Sequence, residues 1–359
     1  MKIAIFGAGQ LAMMMVQADT EKNHEYIVVD PSQSPPASKY AKHIQTEYSD
    51  LKTLDEIANN YDVATIDFEN VDVSAMREID KKIPVHPSPS ALEICQDRIN
   101  EKNLFKLLDI KTTLYYEINS LLDLENYVDS KKRYILKTRR FGYDGKNQYR
   151  INSHTSLSTN LISSPCILEE LVDFNAEVSL IAVRSVNGNT FFYPLVENQH
   201  KEGILDMSIY PSNYQELQAS AEKIGTKLLD EMKYIGVLVI EFFVDKNNEL
   251  IANEMAPRVH NSGHWTIEGS NVSQFSAHIS AITNTMKSKE LRLKPSFMYN
   301  IISKHVSEDK ILQLSNKLDI HIHDYHKTPR DKRKLGHITC TAKNKDRLEE
   351  KIRDFKEII

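Results

Sequence analysis

Between Val237 and Pro257 the chain reads as two apolar strands joined at Asn247-Asn248, residues that tolerate the positive φ of tight hairpin turns. That turn predicts a register in which Lys246 pairs with Glu249, Val244 with Ile251, Phe242 with Asn253, and Glu241 stands directly opposite Glu254. Directly opposed positions have Cβ atoms about 5 Å apart, so two ionised carboxylates there repel by about 3 kcal/mol at an effective dielectric of about 20. A divalent cation turns that repulsion into a site. Oxygen ligands on a stiff hairpin suit Mg²⁺, which takes one or two protein carboxylates and leaves its other positions to water and phosphates. The alternative is that one glutamate faces solvent, or that the turn is longer and the register slips.

The 359 residues, 41% hydrophobic and 26% charged, have globular composition and length for two or three domains. A net charge of −5 gives no global attraction to nucleic acid or acidic lipid, so neither is an expected partner and any anion site must be built locally. Three widely spaced cysteines, Cys95, Cys166 and Cys340, fit reduced thiols better than a disulfide framework or zinc site. With no signal-peptide pattern and no apolar run long enough for a membrane helix, a soluble, cytoplasmic protein is expected.

Up to about Asp97, short apolar runs at 3–6, 26–30, 63–68 and 83–85 alternate with helical stretches at 10–20, 50–60 and 73–82, which predicts a parallel α/β sheet. A helix is expected from Asp97 to Leu108, then a small mixed region with strands at 134–138 and 166–171. Two hairpins follow, one turning at Asn187-Gly188 and one the acidic hairpin, with a helix at about 212–233 between them. Residues 274–286 read as a helix, and the tail from about 291 as a basic, His-containing α+β piece.

Gly7-Ala8-Gly9-Gln10-Leu11-Ala12 matches a dinucleotide fingerprint with Ala at its third position, and Asp30 stands where a ribose-binding acid would close the second strand. The glycines by themselves require only that something approach the backbone closely at a helix N-terminus, and another phosphate would satisfy that equally. Residues 137–148 put Lys137 at a strand end before a loop with Gly142, Gly145 and Lys146, able to fold N–H groups over phosphates; a solvated surface hairpin is the alternative. Counting back from Asn187-Gly188 pairs Glu177 with Asn198 and brings His200 diagonally to Glu177, where the two could grip ribose or phosphate or simply bond each other. The strand Ile167–Val172 could offer its backbone to an adenine edge. Arg258, His260, Asn261 and His264 follow the acidic hairpin on an irregular stretch, which suits a small anion better than a core.

Taken together, Phe68-Glu69-Asn70, Gln96-Asp97-Arg98, Gly142-Tyr143-Asp144-Gly145, Glu241-Phe242-Phe243, Asn253-Glu254-Met255-Ala256-Pro257-Arg258, His260-Asn261-Ser262-Gly263-His264 and Arg333-Lys334-Leu335-Gly336-His337 resemble the N5-carboxyaminoimidazole ribonucleotide synthetases, ATP-grasp enzymes of purine biosynthesis. The resemblance runs in order over nearly the whole chain. It implies an α/β and α+β architecture: a Rossmann-like pre-ATP-grasp domain over 1–96, an ATP-grasp domain over 97–290 with a lid subdomain at about 112–175, and a small C-terminal domain over 291–359. It implies ATP- and bicarbonate-dependent carboxylation of 5-aminoimidazole ribonucleotide through carboxyphosphate, with ATP and Mg²⁺ bound and a homodimer as the working unit. Carried over residue by residue, Glu241 and Glu254 would hold the metal. Arg98, Lys137, Gly142, Tyr143, Asp144, Gly145, Lys146, Asn147, Gln148, Glu169, Glu170, Leu171, Val172, Glu177, His200, Asn253 and Glu254 would line the ATP site. Arg258, His260, Asn261 and Tyr143 would hold bicarbonate and the labile intermediate, and Gln10, Glu69, Asn70, Asp144, Arg258, Lys327, Arg333 and Lys334 the ribonucleotide. The chain departs from the family pattern at Phe141 and Asn147, where glycine is usual, and at Ala8 and Ala12 in the first turn. Two further readings are another ATP-grasp ligase, such as a formate-using ribonucleotide transformylase, and a dinucleotide-binding dehydrogenase using Gly7, Gly9 and Asp30.

Overall fold

The computed structural model describes the whole chain apart from residues 20–22, 143–146, 153–154, 156, 159–160, 163 and 287–289. At the N-terminus β1 (Lys2–Phe6), β2 (Glu25–Val29), β3 (Lys42–Ile44), β4 (Val63–Ile66) and β5 (Val85–His86) form a wholly parallel sheet in the order β3-β2-β1-β4-β5. Its helices are α1 (Gln10–Ala18), α2 (Leu51–Asn60) and α3 (Val73–Asp80). Asp50 and Asp72 cap α2 and α3 by accepting first-turn N–H groups, which fixes where those helices begin. The three residues of β3 carry no apolar alternation, and nothing in the sequence signals them as a strand; they form by pairing with the edge of β2.

Two helices, α4 (Pro89–Gln96) and α5 (Arg98–Leu107), lead out of this sheet. Then β6 (Tyr115–Ile118), α6 (Leu121–Tyr127), β7 (Tyr134–Thr138), β8 (Gln148–Ile151) and β9 (Cys166–Glu170) follow, the strands making an antiparallel sheet in the order β6-β9-β7-β8.

The remaining strands form one antiparallel sheet of nine. They are β10 (Phe174–Arg184), β11 (Thr190–Phe192), β12 (Val196–Lys201), β13 (Ile204–Tyr210), β14 (Gly236–Asp245), β15 (Leu250–Ala256), β16 (Ser296–Ile302), β17 (Ile320–Asp324) and β18 (Lys334–Thr341). Between them run α7 (Gln218–Glu231), the short α8 (Thr266–Gly269), α9 (Gln274–Ile282), α10 (Glu308–Lys317) and the closing α11 (Lys345–Ile358). The tail therefore does not form a sheet of its own: β16 pairs with β13, and the C-terminal strands extend the central sheet.

Side chains alternate along β10 and β14, and the two faces bury different partners. Leu180, Leu238, Ile240 and Phe242 pack with α5 and α7, while Ile181, Val237 and Val239 pack with α1 and α9. Glu241 continues the second face, one alternation beyond Val239, and lines a cleft of about 1140 Å³ between the three sheets.

Candidate active site

The acidic hairpin turns one residue away from the position expected. Asp245 N–H donates to Glu249 O, so three residues, Lys246, Asn247 and Asn248, make the turn, with Asn248 at φ +58°. Asp245 fixes it by accepting the N–H groups of Asn247 and Glu249, each at 2.9 Å. Val244 pairs with Leu250 and Phe242 with Ala252, not with Ile251 and Asn253. A β-bulge at Asn253 then inserts one residue, and Glu241 comes to lie opposite Glu254. The predicted pairing of the two acids is present, by a route that contains two compensating one-residue shifts.

Both carboxylates sit in an electrostatically sharpened setting. Burial, then repulsion by Glu254, pushes Glu241 up to about 7. Burial also acts on Glu254, but Arg98, which donates from Nη1 at 2.7 Å, outweighs it and holds this acid below the usual carboxylate range. Beside the pair the Asn253 side-chain oxygen is buried with no hydrogen-bond partner. Two carboxylates and an unpartnered amide oxygen are hard donors that fit Mg²⁺. No group of three or more His, Cys, Asp or Glu placed to hold a metal occurs among the described residues, so the remaining positions would fall to phosphate and water.

On one side the cleft is lined by Arg98, Lys137, Gly142, Gln148, Glu169, Glu170, Leu171, Val172, Glu177 and His200, all expected at the nucleotide. Their connections differ from the simple reading. Lys137 is ion-paired with Glu169, which also meets Lys102 at 2.9 Å; these two cations outweigh burial and hold Glu169 far below its usual range. The backbone of β9 is spent in ladders with β6 and β7 on both sides, and Leu171 N–H donates to Arg133 O at 2.8 Å, so past the strand end it is the Leu171 carbonyl and the Val172 backbone that are placed to face a base. His200 Nδ1 lies 2.6 Å from Glu177 Oε2, as the hairpin count predicts. Burial lowers the basicity of His200, but the bond to Glu177 and the charge of Glu241 outweigh it, so this imidazole titrates above its ordinary value. Asn147 does not line the cleft: at φ +55° it serves the turn into β8, its carbonyl accepting Thr138 N–H. Tyr143, Asp144, Gly145 and Lys146 lie outside the described residues.

The other side carries Gln10, Glu69, Asn70, Arg258, His260, Asn261, Lys327, Arg333 and Lys334. Arg258 Nε donates to Glu69 Oε2 at 2.5 Å, joining the stretch after β15 to that after β4. Lys327 donates to Gln10 Oε1, and its ammonium stands 5.7 Å from the Tyr325 ring. Asn261 exchanges amide bonds with Asn300, at 3.0 and 2.7 Å, which orients it while leaving its second N–H and second lone pair. His260 reaches Ser262 at 2.9 Å and Glu241 at 3.5 Å; burial, then Arg258, holds it well below ordinary imidazole basicity.

The glycine turn is occupied from within. Gly9 and Ala12 donate their N–H groups to Asp67 Oδ2 at 2.7 and 3.3 Å, so an internal carboxylate takes the helix N-terminus that a pyrophosphate would need. A Cβ at Gly7, which has φ +94°, would stand 1.7 Å from Asp67 Oδ1. Asp30 accepts from Ala8 N–H, Ser32 N–H and the Tyr48 hydroxyl, so its carboxylate is engaged inside the domain. The glycines serve this close approach, and the dinucleotide reading fails.

Sequence reasoning missed the charged face of α5. Arg98, Glu101, Lys102 and Phe105 fall at i, i+3, i+4 and i+7, one stripe of a helix, and Glu101 and Lys102 are 3% and 1% exposed. That spacing was the available signal: it places charges where a helix normally sends apolar residues inward.

An antiparallel nine-stranded sheet facing a smaller antiparallel sheet, with carboxylates on the floor between them, defines the ATP-grasp class. Family models match accordingly: a ribonucleotide synthetase pre-ATP-grasp domain at residues 1–96, an ATP-grasp domain at 103–275, and a phosphoribosylaminoimidazole carboxylase C-terminal domain at 296–351. The chain is 37% identical to the N5-carboxyaminoimidazole ribonucleotide synthase of Pseudomonas aeruginosa, covering 100% of this chain and 99% of that one. Its structure is similar to that of the Staphylococcus aureus N5-carboxyaminoimidazole synthetase complexed with ADP, with TM-score 0.92, 32% identity, and 99% and 96% of the two chains covered. It is also similar to the Aspergillus clavatus synthase in complex with ADP and 5-aminoimidazole ribonucleotide, with TM-score 0.86, 27% identity, and 99% and 98% covered. The chain belongs to the N5-carboxyaminoimidazole ribonucleotide synthase family of ATP-dependent ligases. These relatives support the synthase reading over the transformylase and the dehydrogenase.

Proposed function

We propose that this protein uses ATP and bicarbonate to carboxylate the exocyclic amine of 5-aminoimidazole ribonucleotide in purine biosynthesis. The observation that carries the reading is the opposition of Glu241 and Glu254 on the cleft floor, between a side built on Arg98 and Lys137 and a side built on Arg258 and the basic 327–334 stretch. Bicarbonate oxygen attacks the γ-phosphorus and ADP departs; the amine nitrogen then takes the carbon of carboxyphosphate, phosphate leaves and the amine gives up a proton. Phosphoryl transfer depends on positioning and charge neutralisation, and that is what these side chains offer. Glu241, Glu254 and the Asn253 side-chain oxygen would hold Mg²⁺, which would supply neutralisation of phosphate charge during the transfer.

Arg98 and Lys137 face the triphosphate, with Glu177 and His200 toward its ribose. Arg258, steered by Glu69, orients bicarbonate, while His260, held neutral by burial, accepts or donates a hydrogen bond without adding charge. Lys327, Arg333 and Lys334 receive the ribonucleotide phosphate, and Gln10 and Asn70 border it. The same reading divides the chain near residues 96 and 290 and makes the working unit a cytoplasmic homodimer.

The test is phosphate release with ATP, Mg²⁺, bicarbonate and 5-aminoimidazole ribonucleotide, omitting each in turn. Release is expected only in the complete mixture. Equal release with formate in place of bicarbonate would overturn the assignment.

A further inference from the structure

We propose that Glu101 and Lys102, adjacent residues of α5 outside the nucleotide and substrate sets, are positioning residues that hold the Asn253 bulge and so aim Glu254 at the metal. The inference rests on the synthase reading above. Continuing the turn-side register of the hairpin would place Asn253, not Glu254, opposite Glu241. The bulge corrects this, and it leaves backbone groups on the outer edge of β15 that need partners.

Those partners come from one helix. Lys102 Nζ donates to Asn253 O at 2.8 Å, and Met255 N–H donates to Glu101 Oε1 at 2.5 Å, so the two side chains grip the backbone on either side of Glu254. Ala252 beside them is pinned separately: its N–H donates to Lys111 O at 2.8 Å, and its carbonyl accepts the Thr112 hydroxyl at 2.7 Å.

The grip is itself anchored. Lys102 Nζ also donates to Thr112 and Thr113 hydroxyls at 2.9 and 3.3 Å and pairs with Glu169, the acid that holds Lys137. Through Lys102 the metal-facing strand of the large sheet and the phosphate-facing lysine of the small sheet share one buried cation. Glu101 stands among Lys102, Arg98 and Glu254, with its Oε1 on the Met255 N–H. Its function requires an acceptor oxygen for Met255 N–H, which an amide supplies equally well.

The experiment compares Glu101→Gln and Glu101→Leu with the wild-type protein by Mn²⁺ binding in the presence of ADP, read by electron paramagnetic resonance, and by the Mg²⁺ dependence of phosphate release. Glu101→Gln should bind Mn²⁺ within about twofold of wild type, and Glu101→Leu about tenfold more weakly, the range found when a ligand's supporting partner is lost. The Michaelis constant for the ribonucleotide should stay unchanged in both, a split that general loosening of the fold would not produce. A folded Glu101→Leu with wild-type Mn²⁺ affinity overturns the proposal, as does Glu101→Gln behaving like Glu101→Leu. If Glu101→Leu does not fold, Lys102→Met removes the hold on the Asn253 carbonyl instead, and unchanged Mn²⁺ binding there overturns it equally. Wild-type protein that binds ADP without any dependence on Mn²⁺ would overturn the nucleotide-site reading itself, and the clamp with it.

Discussion

A buried acid opposite a second acid is unstable until a cation arrives, and Glu241 shows this in its proton affinity. Its carboxyl is raised to about 7, chiefly by burial and then by Glu254, so between the ordinary glutamate range and pH 7 the folded state keeps a proton that the unfolded chain has lost. Stability of the metal-free protein should therefore fall as pH rises through about 7, and added Mg²⁺ with ADP should offset the loss. Thermal melting with and without metal across pH 5–9 measures this directly. Glu241→Gln should flatten the dependence and stabilise the metal-free protein by on the order of 1–3 kcal/mol at pH 8, while ATP cleavage is lost. Glu254→Gln should likewise abolish ATP cleavage in a folded protein, and wild-type turnover there would count against the acid pair. At Phe141 and Asn147 the chain departs from the glycines usual in the family, and both residues sit at positive φ, +61° and +55°. Asn tolerates that region, whereas Phe141 gives up about 1–2 kcal/mol to occupy it.

Elements show why counting residues from a turn can reach the right pairing through the wrong register. The turn residues of both hairpins predict two-residue turns. Both have three: Gly188 at φ +86° closes the Val186-Asn187-Gly188 turn as Asn248 closes the other. In each a one-residue irregularity downstream restores the pairing at the site, Glu177 with Asn198 and Glu241 with Glu254. Turn chemistry is local and legible, but a bulge is stabilised by partners far along the chain, here α5, and leaves little trace in the strand's own residues. The glycine motif of α1 teaches the same lesson from the other direction. Its need for a close approach was readable, while the approaching group, Asp67, lies 58 residues beyond Gly9. Gly7→Ala would drive a Cβ into that carboxylate and force a residue with a side chain to positive φ. It should destabilise the protein by about 2–4 kcal/mol in urea unfolding, without creating any affinity for a nicotinamide dinucleotide.

On the scale of the whole molecule the cleft exists because three sheets meet. The C-terminal strands enter the central sheet by pairing β16 with β13, and that pairing carries the basic 327–334 stretch across to the N-terminal sheet, where Lys327 touches Gln10. Lys327→Ala should therefore raise the Michaelis constant for 5-aminoimidazole ribonucleotide by roughly tenfold and leave that for ATP within about twofold, since it removes a charge-assisted contact from one side of the cleft only. Steady-state kinetics with each substrate varied separately decides it, and the opposite ordering would move the ribonucleotide elsewhere. The sequence by itself determined the parallel N-terminal sheet and the two hairpins that follow it, because hydrophobic period and turn residues are properties of neighbouring positions, while the order of its motifs carried the family resemblance from which the site residues were expected. Only the tertiary structure decided that Asp67 fills the glycine turn, that Lys137 is held by a shared glutamate, that the tail extends the central sheet, and that a buried Glu-Lys pair supports the bulge. Each of these is a contact between distant segments, made by strand pairing or by the pairing of charges as they leave water, and which segments meet depends on the whole fold.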